Sequence, residues 1–230
     1  MMKTQWIALV VALVIGVFAA STVSAGIIVS GTPVAGSPGL GNVTIPLILT
    51  TTPNNDNTAD VNSNNNITIA TKAFQHNDYI DIVFVVQPTA PFINPDGTTE
   101  YRVVETVDNA TGTNWVNYSM QLGLGTGPGF TMTSGDGLDF DTGAPGNDPP
   151  PFSTVMPTVS RPNEDTLLYS GGIHGAIQQT YEFHLDVPNL AGDSNYTFTL
   201  RQFPTPVPEP ASLLLTLCFS AIPLFLRRRN

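Results

Sequence analysis

Apolar and polar side chains alternate with a period of two along several stretches in the middle of the chain. The clearest are YEFHLDV at 181–187 and YTFTLR at 196–201, where aromatic or aliphatic residues alternate with charged residues or threonines. The same spacing occurs at 80–86 and 116–122. Because successive side chains of a strand point to opposite faces, this period predicts antiparallel strands with one buried face.

Short apolar runs between turn residues predict further strands. These runs lie at residues 26–30, 43–49, 66–70, 100–107 and 167–170. Pro46 interrupts the second run and places it at a sheet edge, because proline cannot donate to a ladder. No window in this part of the chain has the 3.6-residue period of an amphipathic helix.

The number of strands and the turn content together predict the fold class. About eight to ten short strands are expected in roughly 180 residues, and the chain holds 20 glycines and 20 prolines. We therefore predict an all-β fold, an antiparallel β-sandwich of Ig-like or jelly-roll-like type. Residues 53–66, rich in Asn and Asp, and residues 143–157, rich in proline, are predicted as loops.

The N-terminal segment has the three parts of a secretory signal peptide. Lys3 supplies a positive charge, residues 6–20 form an unbroken apolar run, and small residues follow up to Ala25. We expect signal peptidase to cut between Ala25 and Gly26. The run is short for a membrane span, and an uncleaved N-terminal anchor is the alternative. The segment predicts export.

Cys218 is the one cysteine of the chain, and it lies in an apolar run near the C-terminus. The body from Gly26 to Val207 therefore cannot form an internal disulfide. It is long enough to bury a single core without such cross-links.

Formal charge is unevenly distributed along the chain. The whole chain carries −10, but the part from Gly26 to Pro210 has four basic residues and all 18 carboxylates, a net charge of −14. Such a surface repels phosphate backbones, so we predict no nucleic-acid partner. It favours divalent cations and basic partners, and it also keeps an exported protein soluble.

Two acidic stretches have features of calcium loops. The one that starts DVNSNNNIT has Thr71 at the twelfth position, where a bidentate carboxylate is needed. SGDGLDFDTG is the better candidate, with Asp139 and Asp141 on one side of an extended segment and Asp136 between two glycines. Oxygen ligands on a flexible loop suit Ca²⁺, the one cofactor that the residues suggest. Solvated carboxylates in a polar turn are the alternative.

The histidines do not form a catalytic or metal-binding pattern. His76, His174 and His184 lie far apart, and none has the spacing of HExxH. We place His174 at a glycine-rich loop tip and His184 on the solvent-facing side of a strand. No GxSxG elbow is present, so we expect no catalytic residues and no enzyme. A glycan-active enzyme, which needs two carboxylates about 5–10 Å apart in a cleft, is the least favoured alternative.

The C-terminus combines a short motif, an apolar run and a basic cluster. In order, these are Val207, Pro208, Glu209 and Pro210, then residues 211–226, then Arg227, Arg228 and Arg229. As a helix the run spans roughly 24 Å at ~1.5 Å per residue, somewhat less than the ~30 Å hydrocarbon core. With the arginines held on the cytoplasmic side, it predicts a short transmembrane helix with the body outside.

This three-part tail resembles the PEP-CTERM sorting signal of Gram-negative bacteria. The resemblance covers about 24 residues, 207–230. It implies that exosortase, a membrane-embedded transpeptidase-like enzyme, recognises the PEP motif and cuts at or beside it. It also implies export across the inner membrane, transient anchoring there, and release to the cell surface or the extracellular space, in association with exopolysaccharide and biofilm.

The body resembles the extracellular modules called choice-of-anchor domains. The similar features are, in order, NATGTNWVNYSMQLGLGTGPGF, GDGLDFD, a proline-rich gap and DTLLYSGG before the final strands. A module of this kind is defined by its delivery, and its resemblance implies no particular biochemical role.

Four segments are predicted: a signal peptide at 1–25 that forms a helix, a sandwich domain at 26–202, a linker at 203–206 and the sorting tail at 207–230 with its transmembrane helix. The favoured function is a non-enzymatic protein of the cell surface or extracellular matrix. We expect an exposed Trp115 segment and the loop at 136–141 to contact partners, exopolysaccharide among them. A calcium-dependent carbohydrate-binding module is the second hypothesis.

Overall fold

The computed structural model describes residues 26–44, 65–88, 98–141, 150–188 and 194–208. Thirteen strands lie in these ranges: β1 (Gly26–Pro33), β2 (Leu40–Thr44), β3 (Asn66–Phe74), β4 (Ile80–Pro88), β5 (Thr98–Asn109), β6 (Trp115–Leu124), β7 (Thr131–Met132), β8 (Asp139–Asp141), β9 (Phe152–Ser153), β10 (Thr158–Asn163), β11 (Thr166–Ser170), β12 (Gln178–Pro188) and β13 (Tyr196–Pro206). A 3-10 turn at Gly127–Gly129 accompanies them. The all-β prediction is confirmed for these residues.

The helices predicted at the two ends of the chain lie outside the described residues. Within the ranges given above, no helix has the length and apolarity that a membrane span requires.

The strands form two sheets. Sheet I has the order β1-β4-β13-β6-β11-β10, with β7 paired to β6, and sheet II has the order β2-β3-β5-β12-β8, with β9 paired to β12. The strands of sheet I pair antiparallel. Sheet II is mixed, because β3 and β5 run parallel, which the alternating pattern did not predict.

The two sheets turn apolar faces toward each other and share one core. Phe74 of β3 lies 5.3 Å from Trp115 of β6, and Tyr118 of β6 lies 4.7 Å from Tyr181 of β12, measured between ring centroids. Fully buried aliphatic and aromatic residues from both sheets surround these rings: Ile82, Phe84, Leu122, Phe198 and Leu200 from sheet I, and Ile67, Ile69, Val103, Phe183 and Leu185 from sheet II. The architecture is therefore sandwich-like, as predicted.

The final strand is longer than its alternating pattern predicted. β13 continues through Phe203 to Pro206 and pairs with β6 along that length, which corrects the flexible linker expected at 203–206. Pairing between β13 and β4 extends only as far as Gln202. Beyond Gln202, the edge of β13 that β4 occupied no longer pairs with β4. A proline there can turn the backbone side that lacks an N–H toward this edge, so the prolines are compatible with a strand.

The second predicted strand begins earlier in the chain than expected. β2 covers Leu40–Thr44 and stands at an edge of sheet II, whereas the apolar run indicated 43–49. Pro46 and nearly all of the predicted loop at 53–66 lie outside the described residues. The described part of the predicted loop at 143–157 contains β9.

Replacing Phe198 by alanine tests the shared core. Phe198 is fully buried and stacks on Phe84 at 5.1 Å, so the substitution should lower the free energy of unfolding by about 3–5 kcal/mol. Phe152 is 53% exposed, and F152A, the matched control, should change stability by about 0.5 kcal/mol or less. Urea denaturation measures both. Equal losses would contradict the place of Phe198 in the core.

Candidate functional site

The loop predicted to bind calcium lies against β12 of sheet II. β8 contains Asp139 and Asp141 and pairs antiparallel with β12, so that Asp139 is opposite Asp186 and Asp141 is opposite His184. The pairing adds the carboxylate of Asp186 to the predicted set.

Asp136 is held in a tight turn ahead of β8. Its neighbours Gly135 and Gly137 have φ values of +66° and +78°, a backbone conformation that favours glycine. Oδ1 of Asp136 accepts a hydrogen bond from the backbone N–H of Leu138 at 3.0 Å, and the N–H of Gly135 donates to the carboxylate of Glu164. The first bond closes the turn itself, and the second joins the loop to the turn between β10 and β11.

The predicted ligands lie near one another without converging on a common point. Arg161 lies 3.7 Å from Oδ1 of Asp139 and donates to the carbonyl of Phe140. Burial raises the pKa of Asp139 to about 6 against the opposing effect of Arg161, and the carboxylates of Asp141 and Asp136 raise it further. Among the described residues, no three Asp, Glu, His or Cys side chains are arranged to hold a metal ion. Calcium at this loop stays a prediction.

Asp165, in the turn between β10 and β11, is buried without hydrogen bonds to its carboxylate. It is 1% exposed, and neither carboxylate oxygen has a hydrogen-bond partner in the described part of the chain. Thr133 is close enough to lower the carboxyl pKa, yet the two groups do not reach hydrogen-bond geometry. The backbone holds the residue firmly, since its N–H donates to Oδ1 of Asn163 at 3.1 Å and its carbonyl accepts from Leu122 at 3.0 Å. Such a carboxylate is expected to be protonated or to pair with a cation.

Asp136, Asp139, Glu164, Asp165 and Asp186 form an acidic cluster whose electrostatics favour the binding of protons. Burial raises the pKa of Asp165 to about 7, and the carboxylates of Asp136 and Glu164 add to the increase. Burial also raises the pKa of Asp186 to about 8, with Asp139 as the next contributor. Carboxylate oxygens are hard ligands of the kind that Ca²⁺ prefers. The cluster can therefore exchange protons near neutral pH.

Sequence reasoning identified the loop of this cluster but missed Asp165 and Asp186. Asp186 was assigned to the solvent-facing side of β12 by its alternation. Asp165 lies in the short segment PNEDT between two strands, which has the composition of an ordinary turn. Its burial comes from packing against β6 and the 133–140 segment, which local sequence does not reveal.

His174 and Trp115 are buried together, so the predictions of a loop-tip histidine and an exposed tryptophan are wrong. Both are 0% exposed, and their rings lie 4.6 Å apart. Nδ1 of His174 lies 2.9 Å from the hydroxyl of Tyr181, and Nε2 lies 2.9 Å from the carbonyl of Ile177. Nε1 of Trp115 donates to Oδ1 of Asn77 at 2.9 Å. Burial lowers the pKa of His174, so this histidine is a neutral structural group.

His184 is also buried, which corrects its predicted exposure. It lies on the outward face of β12, as its alternation indicated, yet it is 1% exposed. Nδ1 lies 2.6 Å from Oε1 of Glu100 on the neighbouring β5. Alternation assigns a residue to a face of the sheet and does not say whether that face is covered.

An open cleft of about 300 Å³ lies along β13, on the outer side of sheet I, and is lined in part by Tyr79 and Arg201. The guanidinium of Arg201 lies 4.0 Å from the ring of Tyr79 and 4.1 Å from that of Phe130. It also donates to both carboxylate oxygens of Asp81, at 2.7 and 2.8 Å. Asp81 neutralises this arginine, and the rest of the cleft is lined by the carboxylate of Asp78, the amides of Asn77 and Gln121, and the side chains of Phe203 and Pro204.

Most of the predicted processing residues lie outside the described residues. These are Ala25, Glu209, Pro210, Arg227, Arg228 and Arg229. Gly26, Val207 and Pro208 are described, and the N–H of Val207 donates to the carbonyl of Asn114 at 2.7 Å.

No family model matches this chain, and no curated protein or solved structure matches it either.

Replacing Asp165 by asparagine tests the cluster through the pH dependence of stability. Because the carboxyl pKa is raised to about 7 in the folded protein, the folded state holds this proton more tightly than the unfolded state does. Its contribution to stability is present below about pH 4 and is lost as the pH rises toward 7. At pH 8, D165N should therefore be more stable than wild type by about 1–3 kcal/mol, and near pH 4 the gain should vanish.

Urea denaturation of wild type and D165N at both pH values, with a chelator present, measures this difference. Taking the difference between variants cancels contributions from other titrating groups such as His174. D78N, which changes an exposed aspartate outside the cluster, is the control and should show no pH-dependent gain. A gain for D165N that is equal at both pH values would contradict the raised pKa.

Proposed function

We propose that this chain is an exported, non-enzymatic protein of the cell surface or extracellular matrix of a Gram-negative bacterium, delivered by its PEP-CTERM tail. One observation carries the proposal: the described sandwich fits between the two expected cleavage points. β1 begins at Gly26 and β13 ends at Pro206. The expected product of signal peptidase and exosortase therefore contains every described strand.

Gly26 is an integral part of the sandwich, which supports cleavage directly before it. Its carbonyl accepts a hydrogen bond from the hydroxyl of Tyr101 at 3.3 Å. A Cβ atom at this position would lie 2.7 Å from the carbonyl oxygen of Pro188, so only glycine fits without a shift. A cut a few residues later would remove part of β1 from the edge of sheet I.

The C-terminal end of the sandwich is likewise compatible with cleavage at the PEP motif. β13 pairs with β6 as far as Pro206 opposite Trp115, and the contact between Val207 and Asn114 directly follows. The PEP motif then begins where these contacts end. A cut at or after the motif would leave the pairing of the last strand intact.

The mature protein is then a strongly acidic β-sandwich without cysteine. Signal peptidase and exosortase are its partners during export, and exopolysaccharide is the partner that the sorting signal implies afterwards. A signal helix and a short transmembrane helix flank the domain before processing. We assign the sandwich itself to the Ig-like or jelly-roll-like class.

Intact mass spectrometry of the protein from its native host tests the delivery. We expect loss of residues 1–25 and of the tail after the PEP motif, and the second loss should disappear in a strain that lacks exosortase. E209A should retain the tail because it removes the charged residue of the motif. T205A, which changes an exposed residue just before the motif, should be processed normally.

Retention of Arg227, Arg228 and Arg229 in the strain that contains exosortase would contradict the proposal. The chain would then be an ordinary single-span membrane protein. Added mass on the new C-terminus would identify what the processed protein is attached to.

The buried carboxylate of Asp165 favours a second function, calcium-dependent binding at the acidic cluster. A cation beside Asp165 would compensate a charge that the described residues leave without hydrogen bonds. Asp136, Asp139 and Glu164, whose charges act on Asp165, would have to move closer together to supply further oxygen ligands, because the described side chains do not converge on one point. A calcium-dependent carbohydrate-binding module of the cell surface is the corresponding function.

Thermal unfolding with and without Ca²⁺ at pH 8 tests this second function. A ligand of the native state stabilises by mass action, by about 2.7 kcal/mol at a hundredfold excess over its Kd. We expect Ca²⁺ to raise the Tm of wild type and of D78N, and to leave the Tm of D165N unchanged. A wild-type Tm that is equal in Ca²⁺ and in chelator would exclude calcium binding by the folded domain.

A further inference from the structure

Three polar side chains from three strands meet in the core between the two sheets. Lys72 of β3, Glu105 of β5 and Gln202 of β13 are each 0% exposed. Nζ of Lys72 donates to Oε2 of Glu105 at 2.6 Å and to the amide oxygen of Gln202. Nε2 of Gln202 donates to the same oxygen of Glu105 at 2.8 Å. One carboxylate oxygen thus contacts both an amine and an amide nitrogen.

A β-bulge turns Lys72 toward the core. In the pairing of β3 with β5, Ile69 is opposite Glu105 and Lys72 is opposite Val107. Between these two pairs β3 advances by three residues and β5 by only two. The extra residue in β3 places each later side chain of that strand on the opposite face from the one that simple alternation would give. Without the bulge, Lys72 would share a face with Thr68, which is exposed. The local backbone therefore places this amine inside.

The three groups connect the two sheets. Glu105 lies on the inward face of sheet II between Val103 and Val107, in the alternation of β5. Gln202 lies on the inward face of sheet I, two residues after the buried Leu200. A bond between Lys72 and Gln202 would join one sheet to the other.

Burial favours the neutral form of Lys72, whereas the aromatic rings and the carboxylate of Glu105 around its amine favour the ammonium. Nζ of Lys72 lies 5.8 Å from the ring centroid of Phe74 and 5.6 Å from that of Tyr118. Burial lowers the pKa of Lys72, against the opposing effect of Glu105. The neutral amine is the form that attacks a carbonyl carbon. The hydroxyl of Tyr118 donates to Oε1 of Glu105 at 3.0 Å and so orients the carboxyl group between the two nitrogens.

We propose that Lys72 and Gln202 form an intramolecular isopeptide bond. Nζ attacks Cδ of Gln202, which lies one bond of about 1.2 Å from the oxygen that Nζ contacts. The Cδ–Nζ bond forms, the Cδ–Nε2 bond breaks, and ammonia leaves. Glu105 accepts the proton that Nζ loses and donates it to Nε2, because its Oε2 contacts both nitrogens. The exchange is redox-neutral and needs no co-reactant.

The fold compensates for the low reactivity of an amine toward an amide in water, because it holds the two groups in contact and excludes water. Attack of an amine on an unactivated amide is slow, but groups fixed in contact react as if present at about 10⁵–10⁸ M. The site is fully buried, so water is kept from hydrolysing the product. Ammonia is small and leaves the core, which drives the exchange forward.

A buried ion pair alone does not explain this arrangement. Such a pair needs only Lys72 and Glu105, and buried pairs of this kind return little net stability. The carboxamide of Gln202, in contact with both partners, is what a cross-link requires. Lys72 and Gln202 are 130 positions apart, and a covalent link over that separation restricts the unfolded chain strongly. It takes the place of a disulfide in a body without cysteine.

The mass of the full chain, measured under denaturing conditions, tests the bond. We expect wild type to be lighter than its sequence by the mass of one ammonia molecule. Succinimide formation at an asparagine also releases ammonia, so the site must be located by peptide mapping. Lys72 is the only lysine after Lys3, so trypsin should fail to cut at Lys72, and a branched peptide should join its segment to that of Gln202.

Three substitutions distinguish the loss of the covalent bond from a general disturbance of core packing. E105Q keeps both reacting groups and removes the proton carrier, so it should fold and show the full mass. K72M removes the amine, and it should also show the full mass. Both should lower the Tm by on the order of 10 °C. Q87M, which changes an exposed glutamine on β4, should keep the loss of ammonia and the branched peptide.

Wild type that unfolds cooperatively and yet has its full sequence mass would overturn the proposal. This result does not depend on whether any variant folds. An E105Q protein that still contains the branched peptide would overturn the role of Glu105 as the proton carrier.

Discussion

Burial of a lysine, a glutamate and a glutamine between two apolar sheets constrains the whole sandwich. Each of these groups would destabilise the core if it lost its partners. Their contacts require the bulge in β3, the inward position of Glu105 on β5 and the inward position of Gln202 on β13. A slip of one residue in any of these strands would turn its polar group away and leave the others unpaired. The three contacts therefore specify register in both sheets.

The strands were predictable where side chains alternate without interruption, and less so elsewhere. β12 and the first part of β13 bury every second residue, so their pattern is visible in the sequence. The bulge in β3 was not visible, because a single extra residue changes the face of Lys72 without changing composition. The parallel pairing of β3 with β5 depends on how strands from distant parts of the chain are ordered, which alternation does not encode.

The candidate sites were also predictable only where their residues are neighbours in sequence. The acidic loop was identified because its carboxylates and glycines are neighbours in sequence. Asp165 joins it through packing of the β10–β11 turn, and Glu105, Lys72 and Gln202 meet from three separate strands. Buried His184 and Trp115 show why surface assignments fail, since they depend on what covers a face. The predicted export signals and the proposed Lys72–Gln202 bond agree with one design, a cysteine-free domain in which a cross-link between core polar groups takes the role that disulfides have in exported proteins.

A high-resolution crystal structure of the domain, focused on Lys72 and Gln202, examines this design directly. If the sheets are covalently joined, electron density is continuous from Nζ to Cδ at an amide bond length of about 1.3 Å, and density for Nε2 is absent. If the same sandwich instead contains a separate ammonium and carboxamide at ordinary hydrogen-bond distance, the two sheets are held by packing and by hydrogen bonds such as those of Gln202 with Lys72 and Glu105, and the proposed bond is contradicted.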